Sequence, residues 1–172
     1  NHIMIDHFFI CLDADAEGYE KRFQRIQTEL EMLKVRLNMP VSLKIHIIIQ
    51  DCCIETWLLG HTKMLRRNPQ SKMLVEFKEF YDVSVKNPEK MGCCPKRHPY
   101  SNKAHFHEAY LKEMLKERYP KLTYSKEHPG VTTDEEYFQS LRERCKKTGH
   151  LNSLKKLLDI WDAISSDNYS VD

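Results

Sequence analysis

Three acidic residues at two-residue spacing close one apolar run, Phe9-Ile-Cys-Leu-Asp13-Ala-Asp15-Ala-Glu17. Aspartates so spaced, just after a strand of a parallel sheet, project from the edge where open α/β sheets place their ligands. A carboxylate pair there suits a hard divalent cation, above all Mg²⁺ with Mn²⁺ as a substitute, which keeps several waters and bridges to phosphate oxygens. The plainer role is helix capping by one aspartate with the other in solvent. A second acidic cluster follows the next apolar run: Ile45-His-Ile-Ile-Ile-Gln50 leads into Asp51-Cys-Cys-Ile-Glu55-Thr-Trp57-Leu-Leu-Gly60. Two neighbouring parallel strands that both end in carboxylates aim them at one place.

A third group is Cys93-Cys94-Pro-Lys-Arg-His98 with His105 and His107, thiols and imidazoles that invite zinc. The usual Cys-x₂-Cys spacing is missing, which favours a plain loop before a histidine-rich helix start. His98, Tyr100, Lys103, His105 and Phe106 mix bases with aromatics, as single-strand-binding surfaces do, although Tyr and Phe at such positions commonly fill a helix core.

The elements that must carry these groups follow from periodicity. Residues 7–12 and 41–49 read as buried parallel strands. Between them Tyr19, Phe23, Ile26, Leu30, Leu33 and Leu37 predict a helix over 17–37, capped near Asp15. Ile54, Trp57, Leu58 and Leu65 predict a second helix over 54–65, so strand, helix, strand and helix form a βαβ unit. Beyond it come a short helix at 73–81, a loop over 83–99 and a helix over 101–119 ending before Pro120. Thr133 with Glu136 signals a helix through about Lys147, and a last one begins at Asn152 or Ser153 with Leu154, Leu157, Leu158 and Trp161 facing inward. Fold class is thus α/β, a largely parallel sheet flanked by helices with a helical C-terminal part.

Composition narrows the chemistry. The 172 residues include only five glycines, no two closer than 19 positions, so no phosphate-cradling glycine loop is present. P-loop hydrolysis and standard dinucleotide binding are excluded on that ground. Net charge is −3 over residues 1–60, +7 over 61–130 and −2 over 131–172, the balance expected of a metal site beside a polyanion-binding surface. Adjacent cysteines at 52–53 and 93–94 fit reduced thiols better than a disulfide framework. No run reaches membrane-spanning length and no secretory signal opens the sequence, so a cytoplasmic protein without a membrane partner is expected.

The strand-DxD-helix-strand order followed by Glu-x-Trp-Leu-Leu resembles the TOPRIM domain, in particular the OLD-nuclease and RloB-like proteins of bacterial and phage defence. The match is good over residues 7–65; the segments Tyr124-Ser-Lys126-Glu-His-Pro-Gly130, Tyr137-Phe138 and Leu151-Asn-Ser-Leu154 resemble the helical part of those proteins more loosely. The resemblance implies a TOPRIM-like, Rossmann-like core over residues 1–70 and a mainly helical basic extension over 71–172 packed on it. It also implies Mg²⁺-dependent phosphodiester hydrolysis of DNA or RNA, that is, a metal-dependent endonuclease in antiviral defence. Asp13, Asp15 and Glu55 match the metal-binding carboxylates, Asp51 is a further metal ligand and with Glu17 a helper or base, and Lys103 and Lys126 are the lysines expected to stabilise the transition state. Implied partners are nucleic acid and either an ATPase protein or further copies of the chain.

A TOPRIM domain begins with a strand ending in Glu-Gly, and no such pair precedes the first strand here. That departure supports an alternative, a catalytically silent TOPRIM-fold subunit that binds nucleic acid or protein. A haloacid-dehalogenase-like phosphatase is the other alternative, because an apolar strand ending in Asp-x-Asp also describes that family. It calls for Thr or Val two residues after the second aspartate and a glycine-rich cap loop, where this chain has Glu17 and the single Gly18.

Overall fold

Seven-residue runs with apolar, isoleucine-bearing interiors (Ile10; Ile45, Ile47, Ile48 and Ile49) pair as strands β1 (His7–Asp13) and β2 (Lys44–Gln50). In the computed structural model, which describes residues 5–15, 17–95 and 99–168, they form a two-stranded parallel sheet. Asp13 pairs with Gln50, so the two carboxyl ends lie side by side. The architecture is α/β. Helix α1 (Tyr19–Arg36) connects the strands, followed by α2 (Ile54–Leu58), α3 (Lys72–Phe80), α4 (Lys103–Arg118), α5 (Glu135–Thr148) and α6 (Asn152–Asn168). Both α1 and α6 pack on β2.

Burial departs from the sequence expectation in the sheet. β2 is buried only at its carboxyl end and β1 is half-exposed, with Phe8 at 50%. Among the described residues two strands make the sheet, too little surface to cover both faces of either strand. The α1 stripe is likewise shallow: Leu30 alone is deeply buried, and Leu37 is exposed. The main core lies in the helical part, where Phe77, Phe106, Tyr110, Leu111 and Met114 are wholly buried. It continues without a break into Ile48, Trp57 and Leu58, so one apolar core spans both the strand-bearing and the helical segments.

Several local expectations are corrected. The helix expected over 54–65 stops at Leu58. There the Tyr137 hydroxyl donates to the Leu58 carbonyl at 2.7 Å, and buried Arg144 donates to the Gly60 carbonyl at 2.8 Å. The Leu58 carbonyl also takes the His61 N–H at 3.3 Å and the Trp57 carbonyl takes the Gly60 N–H at 2.8 Å, i to i+3 bonds that close the helix in a tightened last turn. Gly60 itself is a close approach: a Cβ there would lie 2.4 Å from Leu151 Cδ1 and 2.7 Å from the Trp57 carbonyl oxygen. Helix α1 is capped not by Asp15 but at Gly18, whose φ of 84° and ψ of 159° suit glycine alone. Helix α5 starts after Asp134, while Thr133 sits in a preceding 3₁₀ turn and donates to the Gly130 carbonyl at 2.9 Å. Trp161 does not face inward; it is 42% exposed and leans on Phe138, ring centroids 6.3 Å apart. No helix among the described residues is long and apolar enough to cross a membrane.

Candidate active site

The carboxyl ends of β1 and β2 are tied together by one buried residue. The Ala14 N–H is shared between the carbonyls of Gln50 at 2.9 Å and Cys52 at 3.0 Å, and the Gly18 N–H closes the turn on the Ala14 carbonyl at 3.2 Å. Between them Asp15 takes a left-handed φ of 51°, a conformation aspartate tolerates better than most residues. This turn leaves Asp13 half-buried at the strand end and Asp15 exposed at the rim.

Glu55, in the first turn of α2, is only 1% exposed. Burying a carboxylate is costly unless it is paired and hydrogen-bonded, and the loop after α4 supplies both. The Tyr124 hydroxyl donates to Glu55 Oε1 at 3.0 Å, and Lys126 Nζ lies 4.0 Å from Glu55 Oε2. The same ammonium lies 3.6 Å from Asp13 Oδ2. Lys126 is held at this point by a tight turn in which Ser125 and His128 exchange backbone hydrogen bonds of 3.1 and 3.2 Å. So Asp13, at the end of β1, and Glu55, in the helix that follows β2, meet on one lysine from a distant loop.

The electrostatics match this crowding. Burial raises the Asp13 pKa first; Lys126 opposes the rise, and the negative charges of Asp15 and Glu55 add to it. Desolvation acts to lower the Lys126 pKa, but Glu55 and Asp13 outweigh it and leave it raised. Burial first, and then Glu55, push the Tyr124 phenol far up, so it stays protonated and donates. Gln50, buried beside Asp13 in the strand register, has an Oε1 with no hydrogen-bond partner among the described residues. An orphaned buried carbonyl next to a carboxylate on a shared ammonium is an oxygen-rich setting of the kind a hard cation uses.

The remaining expected site residues fall elsewhere. Asp51 pairs with Lys103 at 3.7 Å, a second acid–base pair on the β2–α2 turn and the start of α4. Among the described residues, neither side chain makes a hydrogen bond or ion pair with Asp13, Glu55 or Lys126. Glu17 is not at the site: it binds Arg25 through both oxygens at 3.1 Å and Arg22 at 3.5 Å. Of the aromatic and basic group ahead of α4, Tyr100 and Phe106 pack against Phe77 in the core, as fully or partly buried residues.

The thiol–imidazole grouping also rearranges. His98 lies outside the described residues. His105 bonds the Ser101 hydroxyl, and the Cys94 thiol accepts the Tyr100 N–H at 3.2 Å. His107 turns away from Cys93 and Cys94 and meets Cys52 and Cys53 instead; the three donor atoms lie within 4.8 Å of one another, all buried. The hydrogen bond between the two thiols lowers the Cys52 pKa against the opposing effect of burial, with His107 assisting, while Cys53 moves up.

Two participants escape a reading of sequence alone. Tyr124 carries no catalytic signature by itself, but its place two residues before Lys126 is a signal, since a loop that delivers the ammonium delivers the phenol as well. Gln50 reads as the last residue of an apolar strand, and only the parallel register sets it beside Asp13. Compared with protein-family models, curated proteins and solved structures, the chain matches none.

Proposed function

We propose that the chain is a Mg²⁺-dependent nuclease of TOPRIM type, with Mn²⁺ as a substitute metal, hydrolysing phosphodiesters of DNA or RNA, and that it acts in antiviral defence. The observation that carries this reading is the meeting of Asp13 and Glu55 on Lys126. Asp13, Glu55 and the rim carboxylate Asp15 would hold the metal, with Gln50 Oε1 as a neutral oxygen nearby. Bound there, the metal would polarise a phosphoryl oxygen and lower the pKa of a bound water. The protein's own groups do the rest. Tyr124 fixes the Glu55 carboxylate by its hydrogen bond. Lys126, 59% exposed, is free to turn its ammonium toward an incoming phosphate and offset charge developing on its oxygens. The Asp51–Lys103 pair adds a second cation beside the same edge. The excess of lysine and arginine over residues 61–130 would hold the polyanion, and an ATPase partner or self-association belongs to the same reading.

The ammonium already pairs with both carboxylates, and this contact favours one second reading, a silent TOPRIM-like subunit that binds nucleic acid without cutting it. The test is a panel of end-labelled single- and double-stranded DNA and RNA incubated with Mg²⁺, Mn²⁺ or chelator. Metal-dependent cleavage of any member supports the nuclease. Binding of the panel without cleavage under every condition supports the silent subunit.

A further inference from the structure

Behind the carboxylate site lies a set of soft donors that the proposed hydrolysis does not use. We propose that Cys52, Cys53 and His107 form a buried structural zinc site that ties the turn carrying Glu55 to helix α4. Cys52 and Cys53 end the β2–α2 connection at 3% and 1% exposure, and His107, in the second turn of α4, is fully buried. Cys52 Sγ lies 3.8 Å from Cys53 Sγ and 3.9 Å from His107 Nδ1. Bond lengths of zinc to sulfur and imidazole nitrogen in a tetrahedral site imply edges of about 3.8 Å between two sulfurs and about 3.5 Å between sulfur and nitrogen. The thiols therefore already stand at the required separation, and the Cys52–imidazole edge needs to close by a few tenths of an ångström; the Cys53–imidazole edge, within 4.8 Å, closes further as the ring turns in.

An oxygen faces the same point. Thr56 Oγ1 lies 2.7 Å from His107 Nδ1, 3.5 Å from Cys53 Sγ and 3.7 Å from Cys52 Sγ. It accepts the N–H groups of Cys52 at 3.2 Å and Cys53 at 3.4 Å, so its own proton is directed to Nδ1. That leaves His107 protonated on Nε2, which has no hydrogen-bond partner among the described residues. The ring thus keeps Nδ1 turned to the thiols even though its other nitrogen is buried unpaired. Two thiols and an imidazole prefer zinc to Mg²⁺, while the carboxylates beside them prefer the reverse, so the two sites are sorted by donor chemistry. Binding is an acid–base exchange with no redox partner: Zn²⁺ forms two Zn–S bonds and one Zn–N bond, and the two thiol protons leave to solvent. The Thr56 hydroxyl gives up its hydrogen bond to Nδ1, and the fourth position falls to a neutral oxygen, the nearest being Thr56 Oγ1.

The test uses the full chain expressed in zinc-supplemented medium, purified without chelator and analysed for metal. One zinc per chain is expected. Exchange to Co²⁺ should give the intense visible bands of a tetrahedral ion and a sulfur-to-cobalt charge-transfer band in the near ultraviolet. Cys52→Ser and Cys53→Ser should remove that band, His107→Gln should weaken Co²⁺ binding at least tenfold, and Cys93→Ser combined with Cys94→Ser should change nothing. In the unmodified protein, in denaturant just strong enough to open the buried thiols of the zinc-free chain, zinc should protect Cys52 and Cys53, but not Cys11 or Cys93, from alkylation mapped by mass spectrometry. That measurement stands even if a variant does not fold. Absence of the charge-transfer band, its loss with Cys93 and Cys94, or equal alkylation of Cys52 and Cys53 with and without zinc would overturn the proposal. None of these readouts depends on nuclease activity.

Discussion

The Tyr124 hydroxyl donates to Glu55 Oε1 at 3.0 Å, joining residues 69 positions apart, and Glu55 is 1% exposed. A phenol is thus the nearest donor to a buried carboxylate that the proposed chemistry requires. Hydrogen bonds to charged groups contribute about 1.5–3 kcal/mol, and an unpaired buried partner costs a similar amount. Tyr124→Phe is expected to lower the unfolding free energy by roughly 1.5–3 kcal/mol in urea denaturation. A variant as stable as the parent would remove this bond from the account.

Gly60 makes a second prediction through space rather than charge. A methyl group there meets Leu151 Cδ1 at 2.4 Å and the Trp57 carbonyl at 2.7 Å, and the carbonyl cannot move aside. Gly60→Ala should destabilise by roughly 1–3 kcal/mol, the usual cost of overpacking. At Gly92 a Cβ would meet nothing within 4 Å, so Gly92→Ala should be near neutral when both variants are compared by urea denaturation.

Glu89 joins the loop before α4 to the start of α6. Its two oxygens accept the N–H of Asn152 at 2.7 Å, the N–H of Ser153 at 2.9 Å and the Ser153 hydroxyl at 2.6 Å. Ser153 in turn accepts the Trp57 indole N–H at 2.7 Å. Glu89→Ala leaves helix N-terminal donors buried without a partner and should cost roughly 1–3 kcal/mol for each group orphaned. The loss should also shift the Trp57 fluorescence at native conditions; an unchanged spectrum and midpoint would contradict this chain of bonds.

Acid should weaken the fold before it reaches the carboxylates. Burial lowers the pKa of His61, packed on the Tyr137 ring at 4.5 Å; burial also lowers His46, aided by His7 and Lys44, and His150, aided by Arg144. Each folded-state value lies below the ordinary 6.5, so the unfolded chain binds more protons. The stabilisation is complete above that value and is lost as pH falls through the depressed ones. The denaturation midpoint should therefore be flat near neutral pH and decline below about 6.5, more gently in His61→Phe. A midpoint that rises over that interval would contradict the sign.

Periodicity and strand-end carboxylates are local signals, and they identify β1, β2, α1, α4, Asp13 and Glu55 from sequence. The short form of α2 is not local: Tyr137 and Arg144, far along the chain, hydrogen-bond the Leu58 and Gly60 carbonyls just where the helix ends. The pairing of His107 is likewise tertiary. Cys93 and Cys94 are nearer in sequence, yet burial of α4 against α2 turns the ring to Cys52 and Cys53. Lys126 stands out by resemblance, but its contacts with both Asp13 and Glu55 arise only when the loop after α4 folds over the sheet edge.

The proposed nuclease rests on Asp13 and Glu55 sharing one site, and cleavage by their charge-neutral variants tests it most directly. Supercoiled plasmid and labelled RNA are incubated in Mg²⁺ with the parent, Asp13→Asn and Glu55→Gln, each verified as folded by circular dichroism. The account predicts metal-dependent cleavage by the parent and at least a hundredfold loss in both variants. Parent-level cleavage by a folded Asp13→Asn protein would contradict it.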